Sequence, residues 1–92
     1  TKNEIYAEGL DTLIEHLKNR KDVQNIDLMN LSGFCRNCLS KWYLKSAHKR
    51  KIEMNYDQAR EAIYGMPYEV WKKKYQKEAT KEQLEKYKNI SN

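Results

Sequence analysis

The sequence predicts an all-α fold, a compact orthogonal array of four to five helices in a single domain. Three observations lead there: apolar residues recur at intervals of three and four, no stretch alternates with period two for long enough to make a strand, and helix-starting and helix-stopping residues stand between the periodic segments. Ninety-two residues suffice for one core and not for two. With three Gly and one Pro, no flexible linker divides the chain. Apolar residues are 39% of the total and charged residues 34%, so the core has to be assembled from narrow stripes and from aromatic rings. The seven Tyr suit this role, because each can bury a ring and keep its hydroxyl hydrated.

The first helix is expected from Asn3 to Arg20, where Leu10, Leu13, Ile14 and Leu17 share one face and Lys18 and Arg20 sit near the negative end of the helix dipole. Asp22 or Asn25 then caps a short turn holding Ile26 and Met29. From Leu31 the positions Leu31, Phe34, Cys35, Cys38, Leu39 and Trp42 form one continuous stripe, which predicts a central helix running to about His48. Ser32 is its expected N-cap, with Asn30 a competing start. Asn55 followed by Gln58 is a capping box that opens a helix through Ala59, Ala62, Ile63 and Tyr64. Gly65 stops it, and Pro67 suits the first turn of the next helix, which carries Val70, Trp71 and Tyr75. A last helix starts near Thr80, with Gln83 as capping partner and Leu84 and Tyr87 on one face.

The charge balance, 18 Lys and Arg against 13 Asp and Glu, gives a net charge of +5. No apolar run approaches the ~20 residues that span a bilayer, and TKNEIY lacks the features of a signal peptide. The expected location is therefore cytoplasmic, where two cysteines serve as thiols, metal ligands or a transient redox pair more readily than as a staple. The sequence has no GxSxG, no HExxH, no phosphate-binding glycine loop and no EF-hand loop, so an enzyme is the weaker reading.

Both cysteines lie in Val23 to Ser40, a window whose only charged residues are Asp27 and Arg36. Cys35-Arg36-Asn37-Cys38 is a CxxC, and on a helix residues three apart project to the same side. That spacing permits two thiolates on one divalent metal, Zn being the best candidate, or a disulfide. A structural Zn site needs four ligands, and one CxxC supplies two. His48, ten residues past Cys38, lies too far along the same helix, so His16 on the first helix is the favoured third member. Around the pair, Arg36 would offset thiolate charge, and Asn37 or Asp27 would orient a ligand. The competing reading makes Cys35 and Cys38 small apolar residues at a helix interface. Leu39 stands where c-type haem attachment needs His, which excludes that chemistry.

Two further surfaces are candidates. Lys41, Lys45 and Lys49 recur every four residues and could track the phosphates of RNA or meet an acidic protein, with Tyr43 available to stack on a base. The corner Tyr64-Gly65-Met66-Pro67-Tyr68 could present Tyr64, Met66, Pro67 and Tyr68 to a protein partner, or simply close the core. A symmetric homodimer could supply the missing metal ligands or bury Trp71 and Tyr75, though nothing in the sequence requires one.

Two stretches together, DVQNIDLMNLSGFCRNCLSKWY from Asp22 to Tyr43 and YDQAREAIYGMPYEVWKKKYQKEAT from Tyr56 to Thr80, resemble the family called domain of unknown function 1244, short and mainly bacterial proteins. The resemblance implies a small all-helical fold with no assigned activity, and its pattern takes in Asn25, Asp27, Asn30, Gly33, Phe34, Cys35, Arg36, Asn37, Cys38, Trp42, Tyr64, Gly65, Met66, Pro67, Tyr68 and Trp71. Asn25, Asp27, Asn30, Ser32 and Asn37 are mediocre helix formers, so their presence beside two thiols points to buried hydrogen-bond duties or to a site.

Overall fold

A computed structural model of the protein describes residues 1–91 and, among these, consists of six helices without a strand. They are α1 (Lys2–Asn19), α2 (Asn25–Ser32), α3 (Arg36–Lys49), α4 (Tyr56–Tyr64), α5 (Tyr68–Tyr75) and α6 (Lys81–Ser91). The count exceeds the expected four to five because the short turn around Ile26 and Met29 is a helix in its own right, one that also takes Leu31 and Ser32 from the start of the expected central helix. Gly33 makes the break: it ends α2 in the left-handed conformation, with φ at 80° and its N–H on the Met29 carbonyl. Ser32 is therefore the last residue of α2, its hydroxyl donating back to the Leu28 carbonyl at 2.7 Å, and not the cap of the next helix. Asn30 lies inside α2, so it starts nothing.

The other punctuation follows the sequence. Asn55 and Gln58 exchange both capping-box bonds at 2.8 and 2.9 Å, and Thr80 and Gln83 do the same at the start of α6, at 3.1 and 2.7 Å. Gly65 closes α4 at φ 79°, and the Lys18 stem lies against it, so a side chain there would meet Lys18 Cδ at 3.1 Å. Pro67 sits one place earlier than expected, as the N-cap of α5.

The core is small and aromatic. Leu17, Leu39, Ile63, Tyr64 and Trp71 form its buried cluster, with Ile14, Leu28, Met66, Tyr68 and Tyr75 packed around it. Tyr64 stands edge-on to Trp71 and to Tyr68, with ring centroids 5.0 and 5.4 Å apart, the orientation that aromatic quadrupoles favour.

Among these rings lies Arg36, 1% exposed. Its guanidinium donates to the carbonyls of Arg20 at 2.8 Å and Leu17 at 3.4 Å, to the Val23 carbonyl at 2.7 Å and to Asn25 Oδ1 at 3.0 Å. It also lies 5.1 Å from the Trp71 ring centroid. Leu17 and Arg20 lie at the C-terminal end of α1, where the helix dipole places partial negative charge, so the cation serves as a tertiary cap for that helix. Arg36→Met should lower unfolding free energy by about 3 kcal/mol or more, because it removes several hydrogen bonds at once and leaves the Val23 carbonyl without the guanidinium that binds it. Arg36→Lys should recover only part of the loss in urea denaturation, since an ammonium lacks the planar fork that reaches several acceptors.

Candidate functional site

The reversal at Gly33 decides the geometry of the cysteines. Cys35 occupies the N-cap of α3 with extended backbone, φ −140° and ψ −175°, and Cys38 sits in the first turn. Both are free thiols, with sulfurs 3.9 Å apart. Cys35 is buried and Cys38 half-buried. Because α2 turns back onto α3, Met29 also arrives here, its Sδ 4.0 Å from Cys38 Sγ. Cys38 Sγ thus has two sulfur neighbours, one from α2 and one from the start of α3. Sequence reading placed Met29 in a neighbouring turn and missed its role; an isolated Gly between Met29 and the CxxC was the available signal for a chain reversal.

Burial pushes the Cys35 thiol up, and the backbone N–H groups of Cys38 and Asn37, at the positive end of α3, oppose this only in part. Without a bound ion Cys35 is thus a protonated thiol at neutral pH.

The polar residues around the thiols act mostly on one another. Tyr64 donates its hydroxyl to Asn37 Oδ1 at 2.7 Å and accepts from Asn25 Nδ2 at 3.0 Å, while Asn25 Oδ1 receives Arg36. Asp27 accepts from Gln83 Nε2 at 2.8 Å, and Asn30 donates to the Gln83 carbonyl at 3.0 Å, both fastening α6 to α2. Gln24, buried, donates to the Tyr75 carbonyl and accepts from the Lys77 N–H, both at 2.9 Å. Asn37 and Asp27, expected to orient a metal ligand, are thus occupied in tying helices together, and Arg36 caps α1.

His16 does not join the thiols. Leu17 turns into the core, which leaves His16, a further 100° round α1, exposed. Among the described residues no group of three or more His, Cys, Asp and Glu side chains comes together to hold a metal ion. The Tyr64 to Tyr68 corner divides: Tyr64 is 1% exposed and belongs to the core, Met66 and Tyr68 are half-buried, and Pro67 is exposed. Arg60 lies between the Tyr56 and Tyr68 rings, 4.4 and 4.2 Å from their centroids, so Tyr68 is engaged inside the molecule.

A groove lies between α1 and α3. Leu10, Leu13, Phe34, Trp42 and Tyr43 line it over the core residues Leu39 and Ile63, and it encloses about 350 Å³. Phe34 and Trp42 face each other across 5.9 Å, and Trp42 stays 55% exposed. Lys41, Lys45 and Lys49 are exposed on α3, but Tyr43 turns toward the groove, away from Lys41 and Lys45, which removes the expected stacking partner from the phosphate-tracking face.

Two outcomes follow from the thiol environment. Iodoacetamide near neutral pH should modify Cys38 at least about tenfold faster than Cys35, read by peptide mass spectrometry. Stability should be complete below about pH 8.5, where an unfolded Cys also keeps its proton, and should decline above it, because the unfolded chain loses that proton before the native one. Cys35→Ala should flatten this alkaline limb in urea titrations. The limb should steepen again above about pH 10, since burial also holds the Tyr64 phenol well above its ordinary value.

No described helix is long and apolar enough to cross a membrane. A comparison with curated proteins returns no match to this chain. The family model described as protein of unknown function (DUF1244) matches residues 23–89, from the linker before α2 to the last turns of α6, taking in Arg36, both thiols and Met29. On that match, which leaves out only α1 and the extreme C-terminus, the chain belongs to the DUF1244 family.

Proposed function

We propose that the protein is a small binding module whose groove between α1 and α3 receives an acidic amphipathic helix of a protein partner. The observation that carries this reading is an apolar groove beside a strip of chain with no carboxylate. Leu10, Leu13, Trp42 and Tyr43 remain between 38% and 55% exposed along it. From Leu28 to Ile52 the sequence contains no Asp or Glu, while Lys45 and Lys49 follow Trp42 by three and seven residues and share its side of α3. A helix presenting Leu or Phe to the groove and Glu to that rim would match both features.

The surface area agrees. The chain exposes 7083 Å², whereas a compact monomer of its mass is expected to expose roughly 5,700 Å². The surplus exceeds the ~800 Å² that each side of a standard interface buries. An exposed aromatic at the centre of a groove is also the residue type that carries most binding energy at such contacts.

In this reading the half-exposed Trp42 reports occupancy, because Trp71 is already buried. A designed helical peptide with a leucine stripe flanked by Glu should shift tryptophan emission to the blue and bind more weakly as salt rises. Trp42→Ala, and separately Lys45→Glu with Lys49→Glu, should each weaken it about tenfold or more, about 1.4 kcal/mol. A Lys-flanked version of the same peptide should not bind. Equal binding of the two peptides, or of neither, removes the reading.

A further inference from the structure

We propose that Met29, Cys35 and Cys38 form a binding site for a soft monovalent metal ion, copper(I). The inference is independent of the groove and rests on the three sulfurs. Cys35 and Cys38 are 3.9 Å apart, and Met29 Sδ is 4.0 Å from Cys38 Sγ. With metal–sulfur bonds of about 2.3 Å, a three-coordinate planar set has edges of about 4.0 Å. Two edges of such a triangle already stand at this length.

The donor set favours copper(I) over the zinc first expected. Zinc binds thiolates well but completes four ligands in a structural site, and no His or carboxylate joins these sulfurs among the described residues. Copper(I) is satisfied by two or three soft donors, and two thiolates with a thioether are soft throughout. The thioether matters for selectivity, because a hard or borderline ion gains little from it.

Local structure holds the set in place from both sides. Gly33, in its left-handed conformation, folds the end of α2 back so that Met29 reaches Cys38. The N-cap position of Cys35 aims its sulfur at the opening turn of α3. Binding would exchange one proton from each thiol for the metal: one copper(I) and two thiols give a complex of charge −1 and two released protons, with no change of oxidation state. That residual negative charge would lie at the positive end of α3, next to the buried Arg36 cation. Access is one-sided. Cys35 closes the back of the site, while half-buried Cys38 and Met29 leave a way in.

The test is an anaerobic titration of the 92-residue protein with copper(I), supplied as its acetonitrile complex, in competition with bicinchoninate. One equivalent should bind, with an ultraviolet thiolate-to-metal charge-transfer band, and X-ray absorption should find three sulfur neighbours and no nitrogen. Met29→Leu keeps the apolar volume and should keep the helical circular dichroism, yet weaken copper(I) about tenfold or more and reduce the shell to two sulfurs. Cys38→Ser, on the open side, should abolish the stoichiometric site. Zinc(II) in tenfold excess should leave bound copper(I) in place. Silver(I), which neither oxidises nor disproportionates, should occupy the same site by native mass spectrometry. A Met29→Leu protein with parental affinity, a nitrogen in the shell, displacement by zinc(II), or no stoichiometric uptake by the folded parent would each overturn the assignment.

Discussion

One buried guanidinium organises this molecule. Arg36 is almost wholly removed from water, yet its direct partners are neutral: main-chain carbonyls from α1 and the linker after it, the amide oxygen of Asn25 and the face of Trp71. A buried ion pair with a carboxylate would have satisfied the charge in one contact without tying the end of α1 and the linker after it to α3. Spreading the cation over several helix-end oxygens satisfies donor and acceptors together. It also fixes the direction in which α1 leaves the core, the start of α3 and the seat of α5. The thiols depend on it in turn, because Cys35 is its chain neighbour and Cys38 lies two residues beyond.

A second layer of polar contacts extends this anchoring outward. Tyr64 belongs to the apolar cluster through its ring and to the polar network through its hydroxyl, which joins Asn25 on α2 to Asn37 on α3. Gln24 reaches the end of α5, and Asp27 with Asn30 reaches α6. In a domain with so little apolar interior, side-chain amides perform the alignment that interdigitating aliphatic residues perform in larger cores. Such contacts add specificity more than raw stability.

Much of this was legible in the sequence, and the rest was hidden for identifiable reasons. The amphipathic stripe of Leu10 to Leu17, the capping boxes at Asn55 and Thr80 and the stop at Gly65 announce their elements, because each signal is local and each acts through neighbouring backbone. Of the weak helix formers Asn25, Asp27 and Asn30, which pointed to buried hydrogen-bond duties or to a site, all three form hydrogen bonds between elements, Asp27 at the surface. Gly33 escaped because it falls between apolar positions, so the stripe from Leu31 to Trp42 keeps its period across a break that periodicity cannot register. Arg36 escaped because a charged residue is presumed solvated unless its partners are known, and these partners are backbone atoms distant in sequence. The CxxC marked where to look. The structure adds the Met29 thioether beside Cys38 and turns His16 to solvent, one residue round α1 from the buried Leu17.

The attachment of α6 bears on how the molecule comes apart. None of its described side chains belongs to the buried cluster, and Leu84 and Ile90 are about half exposed. Gln83 bonds Asp27 and Asn30 of α2 and also supplies the capping box at the start of its own helix. A helix with so few buried apolar side chains has little hydrophobic burial to lose, and elements of that kind are the ones that open below the free energy of global unfolding. On this short chain the burial is thus uneven: the apolar cluster lies in the body around Arg36, and α6 packs outside it against α2.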